Sequence, residues 1–139
     1  MNLRDMLVEM QHLVASDLHL RVGIKPTLRV HGKLLAINTE PISKEAMTEI
    51  VSQILSPEQQ KRFAARNEMD LALSVTKLGR FRINLYRQRG TPGIAIRAVN
   101  TLVPSFEDLN LPEVITDLCD ARRGLVIVTG TTGSGKSTT

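Results

Sequence analysis

Apolar residues near the start of the chain fall at Leu3, Met6, Leu7, Met10, Leu13 and Val14, the i, i+3, i+4, i+7 spacing of one helix face. That spacing predicts an amphipathic helix over 2–14 with Asn2 as its N-cap. The stripe reads as a core contact rather than a membrane contact. The period then drops to two. Leu18, Leu20 and Val22 alternate with Asp17, His19 and Arg21, the pattern of a strand with one buried face. Gly23 to Pro26 breaks it. Thr27–Val30 and Leu34–Ile37 read as short strands joined at His31-Gly32-Lys33, and 38–41 as a loop. Ser43 caps a second helix carrying Ala46, Met47, Ile50, Val51, Ile54 and Leu55 on one face. Ser56-Pro57-Glu58-Gln59 starts a third, with Ser56 at the N-cap, Pro57 at the first helical position and Gln59 completing a capping box. It ends near Asn67. Met69–Val75 reads as a strand. Arg80–Arg89 and Ile94–Val99 form a hairpin around Gly90-Thr91-Pro92-Gly93.

Residues 1–99 therefore predict an α+β domain, with helices covering one face of a mostly antiparallel sheet. Pro104 and Pro112, among small, polar and acidic residues, mark 100–112 as an interdomain linker. In 113–139 a short helix over 113–122 precedes Leu125-Val126-Ile127-Val128, an uninterrupted apolar run that predicts a fully buried strand. This last segment is the truncated start of an α/β domain, too short to bury a core of its own.

Composition narrows the function classes. No apolar stretch approaches the roughly 18 residues of a membrane span, and early charges in the first residues exclude a secretory signal. Cys119 stands alone, so no disulfide can close within the chain; it is expected to be a small buried residue. The net charge of +4 permits anionic partners. Aromatic residues are only 3% of the chain and Trp is absent, which argues against a stacking platform for single-stranded nucleic acid. Three scattered histidines and one cysteine do not make a zinc site, and His12, His19 and His31 read as structural.

Two features carry chemistry. Gly130-Thr131-Thr132-Gly133-Ser134-Gly135-Lys136-Ser137 fits the P-loop pattern and follows the apolar run, the strand–loop–helix context that the motif requires. Its backbone N–H groups would cradle a nucleotide's polyphosphate, Gly130, Gly133 and Gly135 giving close approach. Lys136 would donate to the β- and γ-phosphates, Ser137 would coordinate Mg²⁺, and Thr138 would touch the α-phosphate. The second feature is the hairpin. Phe81, Ile83 and Leu85 share one face; Arg80, Arg82, Asn84 and Tyr86 share the other. With a four-residue turn, Arg89 would pair with Ile94 and Tyr86 with Arg97, so Arg82 and Arg97 would share a face roughly 13 Å apart. Arg87 and Arg89 fall near the turn, within reach of solvent. Two readings remain open here: a face built for anions, or a solvated face ion-paired to Asp and Glu.

Ala15-Ser16-Asp17-Leu18-His19-Leu20, Pro26 through Gly32, Gly79-Arg80-Phe81-Arg82-Ile83-Asn84, Ile96-Arg97, Leu109-Asn110-Leu111-Pro112 and Gly130 to Thr138 occur in this order. Together they resemble the N-terminal half of the type IV pilus retraction ATPases, a branch of the secretion ATPase superfamily. The resemblance covers essentially the whole chain. It implies a PAS-like N-terminal domain, a linker and the start of a RecA-like ATPase domain. It also implies a cytoplasmic homohexamer, peripheral to the inner membrane, that acts on an integral platform protein of the pilus machine. Nucleotide would lie between the two domains, with Arg82 and Arg97 reaching its phosphates. His31 departs from the family, which often has Asp there. The start of the chain directly at the PAS-like domain implies retraction rather than assembly or type II secretion; those motors of the same superfamily, and a non-catalytic PAS-like adaptor, are the alternatives. The carboxylates that hydrolysis needs lie on later strands in P-loop enzymes, so residues 1–139 alone are not expected to turn over ATP.

Overall fold

The computed structural model describes residues 2–99, 105–131, 134–136 and 138. The chain divides into two compact units, Met1–Thr101 and Leu102–Thr139.

Local signals start each helix of the first unit. Helix α1 spans Leu3–His12; the backbone N–H of Asp5 donates to Asn2 at 2.9 Å and that of Asn2 to Asp5 at 3.2 Å, a reciprocal cap that satisfies two orphan donors. Helix α2, Lys44–Ile54, is capped by Ser43, which accepts from the Ala46 N–H at 3.1 Å. Helix α3, Pro57–Arg66, has the Ser56/Gln59 capping box and ends at Asn67, whose left-handed φ of 59° stops the helix.

The sheet has six strands: β1 Asp17–Arg21, β2 Thr27–Val30, β3 Lys33–Ala36, β4 Glu68–Val75, β5 Gly79–Gln88 and β6 Thr91–Val99. Their spatial order is β3-β2-β1-β6-β5-β4, every neighbouring pair antiparallel. Leu18, Leu20, Leu28, Phe81, Ile83, Leu85, Ile94 and Ile96 form one face of the sheet. They share a single core with Leu3, Met6, Leu7 and Met10 of α1, Met47, Ile50 and Ile54 of α2, and Phe63 of α3. The sheet is thus apolar toward the helices and polar on its other side. The expected α+β organisation is present, and the polar face is where the candidate arginines lie.

The hairpin differs from its expected register. Gln88 pairs with Thr91 and Tyr86 with Gly93, so the turn has two residues, not four. Arg89 and Gly90 both have positive φ, 50° and 79°, the backbone of the tight turn whose twist matches that of the strands. Pro92 is no obstacle. It sits one position beyond the closing pair, where the backbone N–H would point away from β5, and it lies past Gly93, the last residue that pairs with β1.

The second unit holds helix α4, Val114–Cys119, shorter than the helix expected over 113–122 and with no buried residue. Cys119 is exposed, against the expectation of burial. Leu125, Val126, Ile127 and Val128 form no strand and are 82%, 56%, 69% and 50% exposed: the buried strand that the apolar run predicts is absent, and the segment is poorly packed, as expected of one too short to bury a core of its own. An interior strand needs flanking strands to take its N–H and C=O groups, and the described residues of this unit supply none. Among the described residues no helix is long and apolar enough to cross a membrane.

Candidate functional site

The Gly-rich loop belongs to the second unit. Of its predicted residues, Gly130, Thr131, Ser134, Gly135, Lys136 and Thr138 are described; Thr132, Gly133 and Ser137, the expected Mg²⁺ ligand, lie outside the described residues. The Ser134 N–H donates to the Thr131 carbonyl at 3.2 Å and the Thr138 N–H to that of Gly135 at 2.8 Å. Gly130 has φ of 156°, which L side chains rarely adopt, and a Cβ there would press on the Ser134 hydroxyl, so the loop conformation favours glycine at this position. The Lys136 ammonium donates to the Thr131 carbonyl at 2.7 Å. It is held over the loop by a neutral acceptor. That bond is already charge-assisted on the donor side; a phosphate oxygen adds a full negative charge on the acceptor side, so it would compete with the carbonyl for the ammonium. The described part of the loop thus fits the polyphosphate that the motif implies.

The arginines belong to the first unit. Arg82 on β5 and Arg97 on β6 are directly opposite each other, not 13 Å apart. The slip of register from the expected hairpin is an even number of residues, so the shared face survives and the separation shrinks. Two guanidinium groups at facing positions repel each other, and a sheet tolerates them only with counter-charge nearby. Asp17, on the central strand β1, supplies it. Asp17 faces Arg97 on one side and Arg29 on the other. The Arg97 Nε donates to its Oδ1 at 2.8 Å, the Ser16 hydroxyl to its Oδ2 at 2.8 Å, and the Arg29 Nε lies 3.4 Å from Oδ2. Arg82 has a looser contact, 3.8 Å from its Nη2 to Asp70 Oδ1.

The row Arg29–Asp17–Arg97–Arg82 therefore crosses four strands with three guanidinium groups around one buried carboxylate. The side chain of Asp17 is 10% exposed, while those of Arg97 and Arg82 are 70% and 69% exposed. Beside the row, Asp17, His19, Asp70, Arg82, Asn84 and Arg97 line a groove of about 370 Å³. His19 Nε2 is buried there without a hydrogen-bond partner among the described residues. Strand parity alone puts Arg82 and Arg97 on one face but does not single out Asp17. Its one signal was position: a charged residue on the alternating strand Asp17-Leu18-His19-Leu20, whose partner is 80 residues away.

Burial alone would push the Asp17 carboxyl up. The hydrogen bonds from Arg97 and Ser16 and the Arg97 charge outweigh it and hold the carboxyl below its ordinary value. A carboxyl whose folded pKa is depressed stabilises the fold above its unfolded pKa and loses that stabilisation as pH falls through the folded pKa. The first unit should therefore lose stability below pH about 4, and Asp17→Asn should flatten that part of the profile. Urea unfolding between pH 3 and 7 checks this; parallel profiles for the two proteins would contradict it. The effect is modest, because the Arg97 partner is well solvated.

Residues 2–139 match the family described as Type II/IV secretion system protein. The type IV pilus retraction ATPase PilT of Pseudomonas aeruginosa is 39% identical over 125 residues, 90% of this chain and 36% of that protein. The type IV pilus ATPase PilU of the same organism is 37% identical over 123 residues, 88% of this chain and 32% of that protein. The crystal structure of the pilus retraction motor PilT with bound ADP superposes with a TM-score of 0.86 at 31% identity, covering 99% of this chain and 40% of that one. The chain spans about a third of the length of the two curated relatives. With the family match running from residue 2 to residue 139 and the P-loop and arginine strands inside it, this chain belongs to the type II/IV secretion ATPase family, in its PilT-like branch.

Proposed function

We propose that the chain is the N-terminal portion of an ATP-hydrolysing motor that powers type IV pilus retraction, its first unit a PAS-like module and its second the start of a RecA-like ATPase domain. In this reading Lys136 donates to the β- and γ-phosphates, and the loop glycines let the backbone approach them. Ser137 would hold Mg²⁺, whose charge offsets that of the phosphates. Arg82 and Arg97 bind the outermost phosphate and stabilise the charge that develops there. The motor works as a cytoplasmic homohexamer on a platform protein of the inner membrane, without nucleic acid or zinc.

The observation that carries the proposal is the arginine row. Arg82 and Arg97 face each other with mostly exposed guanidinium groups, and their carboxylates leave capacity unused: Asp17 takes Arg97 through Nε, and Asp70 lies 3.8 Å from Arg82. Such a face favours a dianionic ligand, and the P-loop names one. The test is phosphate release by the full-length protein, which must be lost when Lys136 is replaced. The 139-residue chain alone, purified and given ATP and Mg²⁺, is expected to release none above background.

A further inference from the structure

The hydrogen bond between Arg97 and Asp17 uses Nε, not the terminal nitrogens. A guanidinium bound this way keeps its Nη pair for a second acceptor, and that pair is the fork that fits a phosphate. The carboxylate is itself fixed. Oδ1 takes the Arg97 Nε, while Oδ2 takes the Ser16 hydroxyl at 2.8 Å and faces the Arg29 Nε at 3.4 Å. Asp17 also lies on β1, one of the two central strands, paired on both sides. A long side chain on an exposed sheet face would otherwise sample several rotamers, and each would have to be given up on binding. Arg82, with its nearest carboxylate oxygen 3.8 Å from Nη2, has no such restraint.

We infer that Asp17 is the positioning residue of the arginine pair: it clamps Arg97 through Nε on a rigid strand and aims the Nη fork at the ligand phosphate. The inference rests on the reading that Arg97 serves nucleotide. The competing role for the same contact is sequestration, in which Asp17 occupies Arg97 until phosphate displaces it. The two roles have opposite signs. Loss of the Asp17 charge slows turnover if Asp17 aims Arg97. It tightens nucleotide binding and preserves or raises turnover if Asp17 sequesters it.

Steady-state kinetics of the full-length protein separate them, using Asp17→Asn, Arg97→Ala and the double variant. Asn keeps the size of the side chain and one acceptor but removes the charge. Asp17→Asn is expected to lower kcat about tenfold with KM for ATP within about threefold of the parent, the pattern of a misaimed group rather than a lost binding contact. The double variant is expected to match Arg97→Ala, because Asp17 acts only through that residue. An unchanged kcat in Asp17→Asn, a lowered KM, or a double variant whose loss is the product of the single losses overturns the inference. A wild-type turnover in Arg97→Ala instead removes the reading beneath it, so the two failures are distinguishable. A second readout needs no variant and no ATP. In the 139-residue chain the Arg97 Nε–H should exchange with water at least about tenfold more slowly than that of Arg82. Equal exchange rates would overturn the clamp.

Discussion

Lys136→Ala is expected to lower ATP turnover of the full-length protein by at least about a thousandfold. The ammonium already sits at the loop, 2.7 Å from the Thr131 carbonyl, so little reorganisation precedes its transfer to a phosphate oxygen. Alanine removes the one side-chain cation of the described loop, so within the loop the phosphate charge would be met by backbone dipoles without it. The fold should not suffer, because Lys136 is exposed and none of the core of the first unit involves it. The check is phosphate release at saturating ATP beside thermal unfolding of the same preparation. Turnover within tenfold of the parent, with an unchanged melting temperature, would remove the loop from the catalytic account.

Arg82→Ala and Arg97→Ala are each expected to cost about 10² to 10³ in kcat, the usual size of a lost transition-state donor. Their structural consequences should differ. Arg97→Ala takes away the 2.8 Å partner of Asp17 and leaves that carboxylate to Ser16 and Arg29. Arg97 is mostly solvated, so the stability loss should stay below about 1 kcal/mol. Arg82→Ala removes one member of a facing like-charge pair and gives up only a 3.8 Å contact, so stability should hold or rise slightly. A pair of variants with matched folds and strongly reduced kcat would assign the arginines to chemistry. A loss of turnover that simply tracks loss of folded protein would assign them to structure.

Much of the first unit is legible in its sequence because its signals are local. Asn2, Ser43 and the Ser56/Gln59 box sit within three residues of the N–H groups they satisfy, and they mark the starts of α1, α2 and α3. The faces of β5 and β6 are legible for a related reason: alternation needs only one strand at a time. The register is not legible. Arg89-Gly90 lacks the Asn-Gly signature of a two-residue turn, and Pro92-Gly93 looks like punctuation, so the hairpin reads as longer than it is. The part Asp17 plays is illegible for the same physical reason. Its pairing with Arg29 and Arg97 exists only once three strands are aligned. Leu125–Val128 shows the limit from the other side. Hydrophobicity gives a segment the tendency to be buried, but a strand also needs neighbours to take its backbone hydrogen bonds. The loop that follows is recognisable as a pattern because the backbone freedom of a glycine such as Gly130 and the charge of a lysine such as Lys136 belong to the residue types themselves.

The central claim is that guanidinium groups of the first unit act on the outermost phosphate of the nucleotide. The most direct test compares two ligands on one protein. Full-length Arg82→Ala/Arg97→Ala is titrated with ADP and with a non-hydrolysable ATP analogue, each with Mg²⁺, and set beside the parent. Affinity for the analogue should fall about tenfold or more, because two charge-assisted contacts are lost, while affinity for ADP stays within about twofold. Equal affinities in variant and parent, or an equal fall for both ligands, would contradict the account.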